Sequence, residues 1–245
     1  MLRQKAFAFT WIDLLIVLVV IAVMVALLFP WESVPKEAGR RAVCMNNLSE
    51  IALAMINYHD KYDTFPPAYV ADKEGKPLYS WRVLILPWME CRNLYDEFRL
   101  DEPWDSEANL KLLDRMPSFY RCPSNKNNML GSHTSYVRIV GPGTVTDGPT
   151  AVAAGEIADG TSKTILVTET LEDVPWTAPI DIPFEKLDLG VNSKSGRGLG
   201  SKHPGVVIAA FADRSVQVIG ERTKPETLRA LATVAGNETV AEGDY

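Results

Sequence analysis

Residues 9–31 read FTWIDLLIVLVVIAVMVALLFPW, and sixteen consecutive apolar residues run from Leu14 to Phe29. A short segment containing Arg3 and Lys5 precedes them. A helix over 23 residues is about 34 Å long, which matches the roughly 30 Å hydrocarbon core of a bilayer. A cleaved secretory signal has a shorter apolar core of about 7–15 residues. The stretch therefore favours a retained transmembrane helix at residues 9–31 over a cleaved signal.

A second helical pattern follows the apolar stretch. From residue 37 to 62 apolar side chains recur at helical spacing, among them Leu48, Ile51 and Met55, which predicts one buried stripe. Pro30 and Pro35 bracket the junction and predict a kink or a short break there, because proline removes a helical hydrogen bond. We expect an amphipathic helix at residues 32–63 that continues the first one.

Residues 64–245 are predicted to form one α+β domain. Short helices and turns are expected first, including a helix at 106–114 capped by Asp105. The pattern then alternates with a period of two, which is typical of strands. A carboxy-terminal helix at 224–235 closes the domain. The predicted strands are 118–121, 135–140, 164–170, 206–211 and 215–219. The predicted fold class is thus α+β, with a long amino-terminal helix packed on an antiparallel β-sheet.

Residues 8–15, AFTWIDLL, resemble the processing site of type IV prepilins and type II secretion pseudopilins. The resemblance implies a leader at residues 1–8, cleavage by a prepilin peptidase between Ala8 and Phe9, and methylation of Phe9. It also implies a pilin-like fold, with Asp13 as the assembly acid and Pro30 as the kink-forming proline. Two residues depart from the family pattern, since Ala8 replaces the usual Gly and Asp13 the usual Glu.

The position of Asp13 has a physical rationale. A carboxylate within a transmembrane segment is costly. After cleavage Phe9 would carry an ammonium group four residues away, which is one helical turn. Asp13 could pair with this group or with that of a neighbouring subunit, and so fix the register between subunits. The alternative is that Asp13 merely lies at the depth of the lipid headgroups.

The remainder of the chain resembles a bacterial group of prepilin-like proteins whose outer domain has no assigned function. These proteins end in a His-x9-Asp-Gly motif, which His203 and Asp213 match, although Arg214 replaces the glycine. The other matching segments include those around Cys44, Asn57-Tyr58-His59-Asp60, Phe65-Pro66-Pro67, Pro103-Trp104-Asp105-Ser106, Tyr120-Arg121-Cys122-Pro123 and Asp159-Gly160-Thr161-Ser162.

The chain has three cysteines. The same resemblance implies a disulfide between Cys44 and Cys122, which would leave Cys91 free or buried as a small apolar residue. The sequence contains no Cys-x2-Cys pair and no adjacent His and Cys, which are common spacings of zinc ligands. No metal site is therefore predicted.

Few residues suggest chemistry. His203 and Asp213 flank a predicted strand of six residues, or roughly 20 Å, so they should not form a joint site. Asp213 is expected to shape a turn and His203 to bond to loop backbone. Asp159-Gly160-Thr161-Ser162 is expected to be a turn, with Ca²⁺ binding as the alternative. His59 is expected at a helix carboxyl end. No catalytic arrangement is recognised, so no enzyme is predicted.

The formal net charge is −6, and loss of Arg3 and Lys5 with the leader would make it more negative. Nucleic-acid binding needs clustered basic residues and is not expected. We expect a structural subunit of a pilus or pseudopilus, held as a single-pass protein of the bacterial inner membrane with an extracytoplasmic domain. Its expected partners are the peptidase, the lipid bilayer, and other pilin-like subunits or itself. The alternative is an anchored binding module that does not polymerise.

Overall fold

The computed structural model describes residues 10–28, 33–125, 131–236, 238, 240–241 and 243–245. The predicted cleavage site at Ala8 and Phe9 and the predicted kink at Pro30 lie outside these residues. The chain divides into two compact units, Met1–Gly39 and Arg40–Tyr245. Each unit is described by itself.

Helix α1 spans Trp11–Leu28 and is apolar around its whole circumference. Its 18 residues correspond to about 27 Å, which is shorter than the roughly 30 Å of a bilayer core. Within the described ranges, the structure contains no helix with the length and apolar character needed to cross a membrane. The transmembrane helix predicted at residues 9–31, and with it the single-pass, pilin-like fold with a long amino-terminal helix, is therefore wrong.

Helix α2 spans Ser33–Tyr62, which lies within the range of residues 32–63 given for the amphipathic helix. Pro35 lies in its first turn, where a missing N–H breaks no helical hydrogen bond. Within the second unit, Cys44, Leu48, Ile51 and Met55 are fully buried. Their spacing of three and four residues places them on one face, and this stripe packs into the main core.

Short elements follow α2. The hairpin β1–β2 (Tyr69–Ala71 and Pro77–Ser80) leads into three brief helices, α3 (Trp81–Leu84), α4 (Arg92–Asp96) and α5 (Glu107–Leu110). Helix α5 is shorter than the helix predicted at 106–114. Ser106, rather than Asp105, caps it by accepting a hydrogen bond from Asn109 N at 3.2 Å. The strand predicted at 118–121 is a 3-10 turn, Ser118–Tyr120, because four alternating residues do not distinguish a strand from a turn.

Two four-stranded sheets occupy the rest of the described chain. The antiparallel sheet has the order β10-β9-β7-β3, and the smaller mixed sheet has the order β6-β5-β4-β8. The strands predicted at 164–170, 206–211 and 215–219 are confirmed, whereas the strand predicted at 135–140 is two strands that belong to different sheets. The strands are β3 (His133–Val137), β4 (Ile139–Val140), β5 (Thr146–Asp147), β6 (Thr150–Ala151), β7 (Ile165–Pro175), β8 (Ile182–Pro183), β9 (Val206–Phe211) and β10 (Val216–Gly220).

The antiparallel sheet has a buried core on each face. In β9, Ile208 and Ala210 belong to the cluster that includes the α2 stripe. Val207, Ala209 and Phe211 belong to a second cluster with helix α6, Pro225–Ala232. Alternate residues of a strand point to opposite faces, so this sheet is covered by helices on both sides. The predicted mixed α+β class with an antiparallel sheet is confirmed.

Candidate functional site

The first candidate is the exposed apolar surface of α1. Large apolar side chains from Trp11 to Val25 are 44–85% exposed. A helix that is apolar on all sides is normally buried in a protein core or in lipid. We therefore expect an apolar partner to cover this surface.

Asp13 stabilises the start of this helix. Its Oδ2 accepts hydrogen bonds from Thr10 N at 2.8 Å and from Thr10 Oγ1 at 2.7 Å. Asp13 N in turn donates to Thr10 Oγ1 at 3.4 Å. The reciprocal pattern is a capping box with aspartate in place of glutamate. The Thr10 N–H, followed by the Thr10 hydroxyl, lowers the pKa of Asp13.

The second candidate is a buried cluster of four side chains from separate parts of the unit Arg40–Tyr245. Cys44 comes from α2, Cys122 from the loop after the 3-10 turn, Glu169 from the middle of β7 and His203 from the loop before β9. Each is at most 3% exposed. One donor atom from each residue lies within 4.8 Å of all the others.

The distances within the cluster are short. The Sγ atoms of Cys44 and Cys122 are 2.7 Å apart, and both cysteines are free thiols. Cys122 Sγ lies 3.4 Å from His203 Nε2. His203 Nε2 lies 3.7 Å from Glu169 Oε1. The two sulfurs therefore face an imidazole and a carboxylate inside the core.

The backbone holds the cluster residues in place. Glu169 Oε2 accepts a hydrogen bond from Ile208 N on β9 at 3.0 Å. His203 N donates to Ser201 Oγ at 3.0 Å, and Ser201 Oγ donates to Val206 O at 2.8 Å. By contrast, Glu169 Oε1 accepts no hydrogen bond of normal geometry from the described residues. One carboxylate oxygen is thus fixed and the other faces the sulfurs.

The buried environment of the cluster disfavours the negatively charged forms of Cys122 and Glu169 when no cation is present. The hydrogen bond between the two thiols, together with burial, raises the pKa of Cys122, and His203 lowers it in part. Burial raises the pKa of Glu169 well above its ordinary value, and the nearby Cys122 adds to this, while His203 opposes it. The cost of burying these groups falls when they are hydrogen-bonded or when a cation balances their charge.

The cluster allows two kinds of chemistry. The two thiols could be oxidised to the disulfide predicted from the family resemblance, and that pairing stays a prediction. The four donors could instead bind a metal ion, since sulfur, imidazole nitrogen and carboxylate oxygen are ligands of Zn²⁺. Cys91 lies outside this cluster, is partly exposed and is also a free thiol.

The sequence analysis paired Cys44 with Cys122, considered His203 apart from them and missed Glu169. Metal-ligand spacing rules detect ligands that are close in sequence, whereas these four are distributed over α2, two loops and β7. A signal was available. In Ile165-Leu166-Val167-Thr168-Glu169-Thr170, an acidic residue interrupts a run that is otherwise apolar or Thr and is buried throughout. A charged residue on a strand buried on both faces needs a partner.

The remaining sequence candidates lie elsewhere. Asp213 is in the turn after β9, where its Oδ1 accepts hydrogen bonds from Ser215 N at 2.8 Å and Ser215 Oγ at 2.6 Å. It is separated from His203 by β9. Asp159 Oδ2 accepts from Gly236 N at 2.7 Å, and Gly160 adopts a φ of 93°, so this segment forms a turn. His59 Nε2 accepts from Ala154 N at 3.0 Å.

A small cavity lies beside β7 and β8. Its volume is about 210 Å³, and its charged lining residues are Glu172, Asp181, Lys186 and Arg197. Pockets for small molecules commonly measure about 300–1,000 Å³. The cavity is therefore smaller than a typical ligand site.

Comparison with known proteins places part of the chain in context. Residues 34–153 match the model of a bacterial family described as protein of unknown function (DUF1559). The matched segment contains Cys44 and Cys122 and ends before Glu169 and His203. No curated protein and no solved structure matches the chain.

Proposed function

We propose that the protein is a prepilin-like structural subunit that associates with other copies, or with related subunits, through α1. The observation that carries the proposal is the exposure of apolar side chains all around that helix. Burial of one large aliphatic side chain contributes about 1.5–3 kcal/mol. Packing even a few of these residues against a neighbouring helix is therefore a substantial driving force for assembly.

Two sequence features support the prepilin-like part of the proposal. The segment from Ala8 to Asp13 resembles a prepilin processing site, and the acidic residue follows the expected new amino terminus by four positions. In the proposed assembly, prepilin peptidase cleaves before Phe9. The ammonium group of Phe9 on one subunit then pairs with Asp13 of a neighbour, and the domain from Arg40 onwards lies outside the cytoplasm.

Assembly is tested by sedimentation velocity and electron microscopy of the chain after co-expression with a prepilin peptidase and purification in a mild detergent. The wild-type chain should form oligomers or filaments. Replacing two neighbours on one face, Ile16→Asn and Val20→Asn, should reduce assembly because these polar side chains weaken apolar packing between helices. The matched control is Ile180→Asn with Val218→Asn, two exposed apolar residues of the outer domain, which should leave assembly unchanged. A wild-type chain that stays monomeric would refute the proposal.

Processing is tested separately. The chain is co-expressed with a prepilin peptidase, and its amino terminus is determined by mass spectrometry. The expected product begins at Phe9 and carries one methyl group. An amino terminus at Met1 in the presence of an active peptidase contradicts the prepilin-like assignment, whatever the state of assembly.

The alternative is a binding module that does not polymerise. The cavity beside β7 and β8 has charged residues of both signs, which could hold a small polar ligand. Its small volume gives this alternative less support than the exposed helix gives to assembly. A monomeric chain that retains a small molecule through purification would favour the alternative.

A further inference from the structure

We infer that Cys44, Cys122, Glu169 and His203 form a structural zinc site in the outer domain. The inference rests on the convergence of four potential ligands from separate elements within 4.8 Å. It does not depend on the proposed function, because the cluster lies wholly within the unit Arg40–Tyr245.

The donor set fits Zn²⁺ in type and number. Structural zinc sites are almost always four-coordinate, with Cys sulfur and His nitrogen as the usual ligands and carboxylate oxygen also used. Two thiolates, one imidazole and one carboxylate complete such a shell. With all four positions supplied by the protein, no coordination position stays open for substrate, which characterises structural rather than catalytic sites.

Glu169 distinguishes a metal site from a simple disulfide. A Cys44–Cys122 disulfide would use the two sulfurs and leave the carboxylate facing them in the core. Glu169 Oε1 is buried and accepts no hydrogen bond of normal geometry within the described residues. It lies beside His203 Nε2 at 3.7 Å. A cation between these atoms and the sulfurs gives the carboxylate oxygen a partner, which the disulfide does not.

The site can close with small movements. Zn–S bonds of about 2.3 Å in a tetrahedral shell place two sulfurs about 3.8 Å apart, whereas the Sγ atoms are 2.7 Å apart. The thiols must therefore separate by about 1 Å as the ion enters. Both thiols and any protonated carboxyl group release their protons to solvent, His203 binds as the neutral imidazole through Nε2, and no group is oxidised or reduced.

Groups beyond the ligands are suitably placed to support the site. Tyr136 is fully buried, and its hydroxyl interacts with Cys44. Asn47 Nδ2 donates to Arg121 O at 2.9 Å and approaches Tyr136 Oη at 3.4 Å. Ile208 N fixes the second oxygen of Glu169. Such outer hydrogen bonds orient metal ligands.

The first test measures metal and thiols in the same sample. The full chain is purified without reductant or chelator, its zinc content is measured by plasma mass spectrometry, and its thiols are titrated after denaturation with chelator. We expect about one zinc ion per chain, as for a single closed site, and reaction of all three cysteines. A chain with no zinc and a Cys44–Cys122 disulfide overturns the inference.

The second test compares variants of the ligands with a matched cysteine control. Cys44→Ser, Glu169→Gln and His203→Gln should each weaken zinc affinity, measured by competition with a chromophoric chelator, by at least the roughly 10–100-fold seen on loss of supporting residues. Cys91→Ser should retain wild-type affinity. Equal losses in Cys91→Ser and Cys44→Ser, or unchanged affinity in Glu169→Gln, contradict the four-ligand site.

A third measurement needs no variant and therefore does not depend on whether the variants fold. The wild-type chain is loaded with Co²⁺ in place of Zn²⁺ under reducing conditions. Tetrahedral coordination by thiolates should give intense visible absorption and near-ultraviolet charge-transfer bands. Absence of both from the folded chain, checked by circular dichroism, overturns the inference.

Discussion

At the scale of single residues, Arg214 carries backbone strain. It follows Asp213 in the turn between β9 and β10 and has a φ of 74°, a left-handed conformation that favours glycine. The resembling family has glycine after this aspartate. Hydrogen bonds between Asp213 and Ser215 hold the turn. The turn therefore forms with arginine in place of glycine at position 214, although the backbone there is strained.

Arg214→Gly should therefore stabilise the unit Arg40–Tyr245. Glycine removes the free-energy cost of the left-handed backbone in the folded protein, but it also increases the conformational entropy of the unfolded chain. We expect the first effect to be larger, with a net gain of about 0.5–1 kcal/mol in the free energy of unfolding. Urea denaturation of the two proteins measures the difference.

Two other glycines provide controls for this experiment. Gly205 has a φ of 74° and no heavy atom within 4 Å of an added Cβ, so Gly205→Ala should destabilise by about 1 kcal/mol through backbone strain alone. Gly220 has similar open space without a positive φ, and Gly220→Ala should have little effect. An Arg214→Gly protein that is less stable than wild type would contradict the strain argument.

At the scale of elements, the first turn of α1 depends on the capping box of Thr10 and Asp13. Thr10 lowers the pKa of Asp13 from its ordinary value of 3.8. A carboxylate whose pKa is lowered by folding stabilises the folded form above its unfolded pKa. This contribution is lost as the pH falls through the lowered folded pKa.

Acidification below about pH 3.8 should therefore fray the start of α1. The measurement is the hydrogen-exchange protection factor of the amides from Leu14 to Val17, which corrects for the intrinsic effect of pH. Asp13→Asn keeps an oxygen that can accept from Thr10 but does not titrate, so its protection should vary less with pH. Equal pH dependence in both proteins would exclude Asp13 as the titrating group.

The same pair of side chains separates the local role of Asp13 from its proposed role between subunits. Asn can cap a helix start but cannot form an ion pair with an ammonium group. Asp13→Asn should therefore preserve the helicity of α1, measured by circular dichroism, and reduce the yield of assembled filaments. If the filament yield of Asp13→Asn were unchanged, Asp13 would cap the helix but would not pair with a neighbouring subunit.

Elements with strong periodicity were predictable from sequence. The α2 stripe and strands β9 and β10 follow directly from spacings of 3–4 and two residues. The 3-10 turn at Ser118–Tyr120 was mistaken for a strand because so short a window holds too little periodicity. The transmembrane helix was predicted from the length of the apolar run, whereas no helix among the described residues has the length and apolar character to cross a membrane.

At the scale of the whole molecule, Asp181 links distant segments of the unit Arg40–Tyr245. Its Oδ1 accepts hydrogen bonds from Arg82 Nη2 at 2.8 Å, Arg138 N at 2.9 Å and Trp81 Nε1 at 3.2 Å. The side chains of Arg82 and Asp181 are 0% and 5% exposed. Removing one member of such a buried pair leaves the other charge without compensation.

Asp181→Ala should lower the free energy of unfolding by about 3–5 kcal/mol, measured by chemical denaturation. The matched control is Asp96→Ala, which removes an exposed ion pair with Arg92 and should cost no more than about 0.5 kcal/mol. Similar losses of unfolding free energy in the two variants would show that the buried contacts of Asp181 do not stabilise the fold more than an exposed ion pair does.

Long-range relationships were the least predictable from sequence. The buried cluster, like the contacts of Asp181, joins residues that are 34 or more positions apart, and one sequence contains no record of such proximity. Cys44 and Cys122 could be associated only through a family resemblance. Glu169 could be recognised as unusual on its strand, but its neighbours could not be named.

The separation of the four cluster residues along the chain affects how the protein is made. Cys44 and Cys122 are translated before Glu169 and His203. The two thiols must then pass through synthesis without the residues that later enclose them, and a nascent chain interrupted before His203 retains them in an incomplete core. This part of the domain can therefore close only after His203 and β9 have been translated and have emerged from the ribosome.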